Sequence, residues 1–168
     1  VVLHADVSRA EDCATLVNEA ARQLGRLDVL INMASVYSAV PFEQLDERRW
    51  DAAIDVDLKA AFLCAIAAVP HFRAAGGGRI INFADWVAAS GRPRYAGYLP
   101  YYVAKRGVIG LTEALALELA ADQILVNAIA PGWFPSDMSG FVLERHGETL
   151  KKHVPLGRFG GPEDLKGV

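Results

Sequence analysis

The sequence is poor in cysteine, in net charge of either sign and in long apolar runs. Its 168 residues include 2 cysteines, Cys13 and Cys64, and carry a formal net charge of −3. Two cysteines on helical apolar stripes indicate buried reduced thiols, and the small charge argues against nucleic acid or an anionic membrane as the main partner. The longest apolar run, Ala60–Val69, is about half of a membrane span and is followed by Pro70. These features favour a cytoplasmic protein.

Two kinds of site also lack a counterpart in the sequence. The four histidines, His4, His71, His146 and His153, show no metal-ligand spacing, so no metal site is predicted. The only dense glycine run, Gly76–Gly78, precedes a strand instead of joining a strand to a helix, and such a run cannot hold a pyrophosphate. The sequence therefore predicts neither a metal centre nor, within these residues, a phosphate loop.

What the sequence does contain is a regular alternation of apolar strands and helices. Strands are predicted at Val1–Ala5, Leu27–Asn32, Arg79–Ala84 and Ile124–Ala130. They are continuous apolar runs, which are typical of a parallel sheet covered by helices on both faces. Because no linker or repeat interrupts the pattern, we interpret residues 1–168 as a single domain with an α/β, doubly wound, Rossmann-like parallel sheet.

Helix boundaries can be predicted at several positions between these strands. Ser8 and Glu11 fit a Ser-x-x-Glu capping box at the start of the first helix, and Gly25 is predicted to end that helix. Asp46 is predicted to cap a second helix, which should break near Asp57. The prediction also includes a helix that begins at Tyr101, a segment over residues 141–154 and a helix start near residue 162.

The helix that opens with Tyr101 carries the clearest chemical signal. Tyr101 and Lys105 are four residues apart, so both side chains project from one helix face. A neighbouring ammonium favours the phenolate, and we therefore expect Lys105 to lower the pKa of Tyr101. A tyrosine tuned in this way can give or take a proton. Its partners are expected at the carboxyl ends of the strands, where such sheets bind ligands.

This pair and the strand ends resemble the short-chain dehydrogenase/reductase family over essentially all 168 residues. Tyr101 and Lys105 match the catalytic pair of that family. Further segments that match family motifs are Asp6-Val7, Asn32–Ser35, Pro131–Ser136 and Pro155–Asp164. Five motifs in the expected order are specific, where any one alone would be weak.

The resemblance implies a nicotinamide cofactor, with NADP(H) favoured over NAD(H). The implied cofactor-binding residues are Asp6, Val7, Asn32, Ala34, Ser35, Tyr101, Lys105, Pro131, Gly132 and Ser136. The family's first strand, phosphate loop and helix have no match in this chain, and neither has its last strand. We therefore interpret the chain as the central and C-terminal part of a longer protein.

Several departures from the family pattern concern the substrate. Asp85 stands where the family has its catalytic serine, and Ser35 replaces a glycine, as in the pteridine reductase branch. Tyr37 and Tyr98 match pocket tyrosines of that branch. Asp57 replaces the family's asparagine, and the sequence assigns it no role. The resemblance thus implies the catalytic residues Asp85, Tyr101 and Lys105 and the substrate residues Tyr37, Asp85 and Tyr98.

The function implied is reduction of a small pterin- or dihydropterin-like ring, with Tyr101 and Asp85 supplying the proton. Oxidation or reduction of alcohols and carbonyls is the alternative within the family, and a non-catalytic binding or assembly subunit is the alternative outside enzyme chemistry. The Ala60–Phe72 helix and the Tyr101 helix are apolar over more of their circumference than one sheet face can cover. In the resembled family such helices pair between subunits, so a homotetramer is expected.

Overall fold

The computed structural model describes residues 1–91 and 95–167. They divide into two compact units, Val1–Ala130 and Pro131–Val168. The first unit contains the sheet and most helices, and the second contains one helix and several turns. The interpretation of the chain as a single domain stays a prediction.

Within the described part of the first unit, three parallel strands form one sheet. They are β1 (Val29–Asn32), β2 (Gly78–Phe83) and β3 (Ile124–Ile129), in the spatial order β1-β2-β3. The register places Asn32 opposite Asn82. The predicted parallel pairing is confirmed, with β1 starting two residues later than expected, and the carboxyl ends of all three strands lie at one edge of the sheet.

The prediction of a fourth strand at Val1–Ala5 is wrong. Residues 1–6 have no regular structure, and Val1 and Val2 are 77% and 97% exposed. A strand persists where its backbone is hydrogen-bonded to a neighbour, and in the described chain residues 1–5 pair with none of the three strands. A β-rich composition alone therefore does not make a strand.

Strand β1 is also less buried than its apolar sequence predicts. Val29 is 44% exposed and Ile31 is 51% exposed, and because alternate residues of a strand point to the same face, one face of β1 is incompletely covered. Strand β1 also lies at the edge of the described sheet. The continuous apolar run at β1 therefore predicts more burial than Val29 and Ile31 have in the described residues. An exposed apolar edge of this kind is a site of aggregation unless another segment covers it.

Six α-helices lie in the described residues. They are α1 (Ala10–Leu24), α2 (Glu47–Ile54), α3 (Ala60–Ala75), α4 (Trp86–Ala89), α5 (Leu99–Glu118) and α6 (Gly140–Lys151). Single 3₁₀ turns occupy Phe42–Gln44, Ala120–Asp122 and Pro162–Leu165. None of the helices in residues 1–91 and 95–167 combines the length and hydropathy that a membrane crossing requires.

Three predicted helix boundaries are confirmed. Gly25 ends α1 with a φ of 80°, in the left-handed region that glycine adopts without steric cost. Asp46 caps α2 by accepting a hydrogen bond of 2.8 Å from the Arg49 amide. The break expected near Asp57 is a π-helical turn over Asp55–Lys59, which joins α2 to α3. Such turns often occur at functional sites.

The capping box predicted at Ser8 and Glu11 is wrong. Arg9 is the N-cap residue of α1, and its side chain makes no capping hydrogen bond. The Ser8 hydroxyl instead donates to the Asp6 carboxylate at 2.7 Å, and the Ser8 amide donates to the same oxygen at 3.0 Å. The Asp6 carboxylate, two residues before Ser8, thus binds the Ser8 hydroxyl, and that hydroxyl does not accept a hydrogen bond from the first turn of α1.

The core of the first unit lies where α1, α3 and the end of α5 pack on the sheet. Its buried residues are Cys13, Val17, Cys64, Ala65, Ala68, Phe72, Ile80, Leu119, Ile124 and Val126. A Cβ atom at Gly78 would lie 2.4 Å from Cδ1 of Phe72, so glycine is what lets α3 approach β2. Cys13 and Cys64 are buried free thiols, as predicted, and burial raises the pKa of Cys64 to about 12.

The second unit is held together by short-range polar contacts. Arg158 donates two hydrogen bonds of 2.7 Å to the Asp164 carboxylate, and these bonds lower the pKa of Asp164. A Cβ atom at Gly160 would lie 2.3 Å from the Phe134 ring, so this glycine also permits a close approach. The helix start predicted near Pro162 is a 3₁₀ turn.

Candidate active site

The end of β2 and the first turn of α5 bring Asp85 and Tyr101 together. Asp85 follows β2 and caps α4, because its Oδ1 accepts a hydrogen bond of 2.7 Å from the Val87 amide. Helix α5 begins before Tyr101, with Pro100 in its first turn, where proline's missing N–H has no helical partner to lose. The Tyr101 hydroxyl donates to Oδ2 of Asp85 at 2.9 Å. One carboxylate thus fixes the start of α4 and the tyrosine.

Lys105 lies one helical turn after Tyr101 and is 4% exposed. Its Nζ donates to the Phe83 carbonyl at 3.0 Å and lies 3.3 Å from Oδ1 of Asp57. The same nitrogen is 5.6 Å from the centroid of the Tyr101 ring. A buried ammonium is tolerated only with partners of this kind, so Asp57 is the counter-ion that permits Lys105 to be buried.

Asp57 is the functional candidate whose role the sequence did not reveal. It is 3% exposed and accepts hydrogen bonds from the Ser35 hydroxyl and, at 3.1 Å, from the Val36 amide. The signal available in the sequence was a carboxylate between Val56 and Leu58, immediately before an apolar helix. A charge in that setting is either at the surface or paired inside, and here it is paired inside.

The expected lowering of the pKa of Tyr101 is wrong. Burial raises the pKa of Tyr101, and the nearby carboxylates of Asp85 and Asp57 raise it further. The ammonium of Lys105 does not reverse this effect, because Asp57 balances its charge at 3.3 Å. The Tyr101 phenol therefore remains protonated at neutral pH, as a proton donor does.

Tyr37 and Tyr98 lie beside Tyr101, as the sequence predicts for a shared pocket. Their rings stack with centroids 4.5 Å apart at 18°, and the Tyr37 ring meets Tyr101 edge-on at 4.9 Å and 77°. Burial and the hydrogen bond with Tyr98 raise the pKa of Tyr37. Three tyrosines thus form one aromatic cluster that also contacts Asp85 through Tyr101.

Asn32 belongs to a polar chain that crosses the sheet. Its Nδ2 donates to Oδ1 of Asn82 at 2.8 Å, Asn82 donates to the Thr112 hydroxyl at 2.9 Å, and Thr112 donates to the Val108 carbonyl at 2.7 Å. Asn82 and Thr112 are both buried and were not singled out from sequence. The signal in the sequence that could have identified Asn82 is its position as a polar residue inside an apolar strand. In the structure, Asn82 fixes the orientation of the Asn32 side chain.

A cleft of about 400 Å³ adjoins the buried ion pair. The predicted cofactor-binding residues that line it are Val7, Asn32, Ala34 and Lys105, and Asp57 lines it too. Asp6 is exposed, and hydrogen bonds from Ser8 lower the pKa of Asp6. Within the part of the chain that the structure describes, no three metal-ligating side chains converge.

The remaining predicted cofactor residues, Pro131, Gly132 and Ser136, belong to the second unit. There the Ser136 amide donates to the Ser139 hydroxyl at 3.0 Å, and the Ser139 hydroxyl donates to the Phe134 carbonyl at 2.5 Å. These bonds order the turn that leads into α6. The role of the three residues in cofactor binding stays a prediction.

Comparison with known proteins shows what this chain is similar to. A family profile described as enoyl-(acyl carrier protein) reductase matches residues 1–168. The 3-oxoacyl-(acyl-carrier-protein) reductase FabG of Staphylococcus aureus is 37% identical over 163 residues, which cover 97% of this chain and 65% of that protein. Nodulation protein G of Azospirillum brasilense is 37% identical over 167 residues, 99% of this chain and 67% of that protein.

A solved structure agrees with these relatives. The crystal structure from Sinorhizobium meliloti of a protein assigned as a short-chain alcohol dehydrogenase has a TM-score of 0.90 and is 38% identical, over 98% of this chain and 65% of that one. The chain thus spans 65% of the length of the FabG protein and of this structure. On the profile, the relatives and the fold together, this chain belongs to the short-chain dehydrogenase/reductase family.

Proposed function

We propose that the protein carrying this chain is an NAD(P)H-dependent oxidoreductase in which Tyr101 transfers the proton. The observation that carries the proposal is the hydrogen bond of 2.9 Å between the Tyr101 hydroxyl and Asp85, one helical turn from the buried Lys105. The nicotinamide cofactor, when bound, supplies or accepts the hydride. The chain's own residues then have to position the substrate and move one proton.

The residues at the cleft fit the nicotinamide end of such a cofactor, and NADP(H) is proposed over NAD(H) from the motif resemblance. Lys105 has three N–H donors, of which the Phe83 carbonyl and Asp57 occupy two. One donor is left for a ribose hydroxyl. Ala34 lines the cleft and is small enough for a ring to approach. The proposed set in the first unit is Asp6, Val7, Asn32, Ala34, Ser35, Tyr101 and Lys105. For Pro131, Gly132 and Ser136 of the second unit, cofactor binding is a separate proposal that rests on the motif resemblance alone.

For the proton step, Tyr101 is the donor in the direction of reduction. The neutral phenol is favoured by burial and by Asp85, so Tyr101 enters the reaction protonated. A substrate atom that takes the place of Asp85 as hydrogen-bond acceptor receives the proton. Tyr101 is then a phenolate and takes a proton from solvent before the next turnover, while Asp85 stays beside it as a hydrogen-bond acceptor.

The substrate class that we propose is a flat nitrogen ring that offers N–H groups, with a pterin or dihydropterin as the first candidate. An ionised carboxylate only accepts hydrogen bonds, so Asp85 complements an N–H group and not a carbonyl oxygen. The cluster of Tyr37, Tyr98 and Tyr101 supplies aromatic surface next to that carboxylate. An acceptor beside aromatic surface suits a heteroaromatic ring.

A second candidate is reduction of a carbonyl in a 3-oxoacyl thioester or of a related alcohol–carbonyl pair. The observation that favours it is the 37% identity to FabG proteins over nearly the whole chain. For this chemistry Tyr101 would donate directly to the carbonyl oxygen. Asp85 would then have to turn away, because two oxygen acceptors repel each other.

The test is a substrate panel with the full-length protein and its Asp85→Ser variant, using NADPH and NADH. We expect wild-type protein to reduce dihydropterins, and the variant to lose roughly tenfold or more on them, the scale of one hydrogen bond to a charged group, while it gains on ketones. Preference of the wild type for 3-oxoacyl thioesters would establish the second candidate. Turnover of neither class would indicate a non-catalytic subunit.

We also propose that the protein is a homotetramer. On α3, Phe62 and Ile66 are 42% and 53% exposed, and on α5, Val103 and Leu117 are 39% and 80% exposed. Exposed apolar residues on two helices are typical of surfaces that pair between subunits. A monomeric mass for the full-length protein at micromolar concentration would contradict this part of the proposal.

A further inference from the structure

Helix α4 follows Asp85 directly and consists of a single turn, Trp86–Ala89. Asp85 is its N-cap residue, because Oδ1 of Asp85 accepts a hydrogen bond of 2.7 Å from the Val87 amide. A helix this short gains little from its own hydrogen bonds, since its first turn fixes several residues for one bond. The orientation of α4, and with it that of the Asp85 carboxylate, therefore depends on contacts from outside the helix.

Arg106 of α5 provides such a contact at the other end of α4. Its Nη1 donates to the Ala88 carbonyl at 3.0 Å, and Ala88 is 1% exposed. The same carbonyl accepts a hydrogen bond of 3.0 Å from the Gly91 amide, so it keeps a partner without Arg106. What the guanidinium adds is a tie between α4 and α5, with a positive charge at the carboxyl end of α4, where a cation is favourable.

The tie comes from the same helix that carries Tyr101. Consecutive residues of an α-helix are rotated by about 100° around its axis, so Arg106 lies on the helix face that adjoins the face of Tyr101 and Lys105. Helix α5 thus donates the Tyr101 hydroxyl to Oδ2 of Asp85 at 2.9 Å and also holds the far end of the turn that Asp85 begins. Both ends of α4 are therefore fixed to α5.

We propose that Arg106 is a positioning residue, whose guanidinium ties α4 to α5 and thereby keeps the Asp85 carboxylate in hydrogen-bond contact with Tyr101. One oxygen of Asp85 is held by Val87 of α4 and the other by Tyr101 of α5. A shift of α4 against α5 therefore stretches the bond to Tyr101. The catalytic meaning of the tie rests on the proposed function, whereas the tie itself can be measured without any turnover.

Arg49 of α2 provides a matched control. Its Nη1 donates to the Gln44 carbonyl at 3.0 Å, the same kind of bond at the same length as that of Arg106. The Arg49 guanidinium also pairs with Asp46 at 2.7 Å. Arg49→Gln therefore removes an arginine-to-carbonyl bond from the first unit that involves neither α4 nor α5. Arg106 is itself exposed, so Arg106→Gln leaves the core intact.

The first experiment measures the bond between Tyr101 and Asp85 by thermal unfolding of the full-length protein. Tyr101→Phe removes the hydroxyl that donates to Asp85, and it is introduced into the wild type, Arg106→Gln and Arg49→Gln. We expect Tyr101→Phe to lower the thermal midpoint clearly less in Arg106→Gln than in the wild type, because that bond is already weakened there. In Arg49→Gln the loss should equal the wild-type loss. Arg106→Lys keeps a charged donor and should restore most of the loss.

A loss on Tyr101→Phe that is the same in Arg106→Gln as in the wild type would overturn the proposal. A purely structural role of Arg106 gives that result, because it would lower the thermal midpoint by the same amount with or without the Tyr101 hydroxyl. The comparison thus separates positioning of Asp85 from general support of α4.

The second experiment tests the catalytic meaning of the tie with a dihydropterin as substrate. Arg106→Gln should lower kcat/KM by roughly tenfold, the scale of one weakened hydrogen bond to a charged group, and leave the Kd for NADPH unchanged. In the Asp85→Asn background, Arg106→Gln should have no further effect, since the carboxylate that it positions is gone. A full loss in that background would overturn the proposal. Absence of turnover by the wild type would contradict the proposed function alone, and the thermal experiment would still decide the tie.

Discussion

Replacing Asp85 by asparagine tests the effect of its carboxylate on Tyr101. Asparagine keeps the size of the side chain and an acceptor oxygen for the Val87 amide, so the cap of α4 survives. The other terminal atom becomes an Nδ2 donor, so the Tyr101 hydroxyl loses both the negative charge and the Oδ2 acceptor to which it donates. The variant therefore removes the carboxylate partner of Tyr101 without removing the cap of α4.

The sign and size of the effect follow from the contacts. Asp85 raises the pKa of Tyr101 because its charge disfavours the phenolate and because it accepts the hydrogen bond of the neutral phenol. Asp85→Asn should lower the pKa of Tyr101. The variant removes a hydrogen bond to a charged acceptor, which contributes roughly 1.5–3 kcal/mol, so the free energy of unfolding at neutral pH should fall by about that amount.

The assay for Asp85→Asn is a phenolate absorbance titration, with Tyr101→Phe in each background to isolate Tyr101. Asp28→Asn is the matched control, because Asp28 pairs with Arg26 at the surface and its side chain is 55% exposed. The control should leave the titration of Tyr101 unchanged. An unchanged or higher midpoint in Asp85→Asn would refute the role of the carboxylate.

Three further predictions concern stability and cofactor binding. Phe72→Ala should lower the free energy of unfolding by about 3–5 kcal/mol in denaturant titrations, because Phe72 is 0% exposed; a loss under about 1 kcal/mol would contradict its place in the core. Because Tyr37 and Tyr101 have raised pKa values, their stability contribution is complete below pH ~10 and should fall above it, by about 1.4 kcal/mol per pH unit for Tyr101 and by less for Tyr37, whose greater exposure lets solvent screen its interactions. Tyr37→Phe should flatten this loss, and an equally steep fall would refute it. The isolated 168-residue chain should bind NADPH weakly, because its dense glycine run joins α3 to β2 and not a strand to a helix; micromolar binding in calorimetry would contradict this.

The parts of the fold that the sequence predicts are those set by local pattern. The apolar runs at β2 and β3 have no equally good helical interpretation, and Asp46 and Gly25 are sufficient signals because caps act over a few residues. Val1–Ala5 has the same composition as a strand, but a strand also needs a partner, and pairing is not encoded locally. The capping box at Ser8 failed for a related reason, since Asp6 was the nearer partner.

In the candidate site, too, the sequence predicts the features that depend on local spacing and misses those that depend on distant residues. The spacing of Tyr101 and Lys105 places both on one helix face, but it does not give the pKa of Tyr101. That value depends on burial and on Asp85, which lies 16 residues away in sequence. Asp57 was predicted only as a helix break, because sequence alone cannot tell whether a carboxylate between two apolar residues faces water or a buried ammonium.

The most direct test of the account is the turnover of Tyr101→Phe in the full-length protein, measured together with its affinity for NADPH. Phenylalanine keeps the ring against Tyr37 and removes the hydroxyl that donates a hydrogen bond to Asp85. We predict that kcat falls by roughly 10²-fold or more, the scale of a lost general acid, while NADPH binding weakens by roughly tenfold at most, the scale of one lost hydrogen bond. Turnover close to the wild-type value would remove Tyr101 from the mechanism and contradict the account.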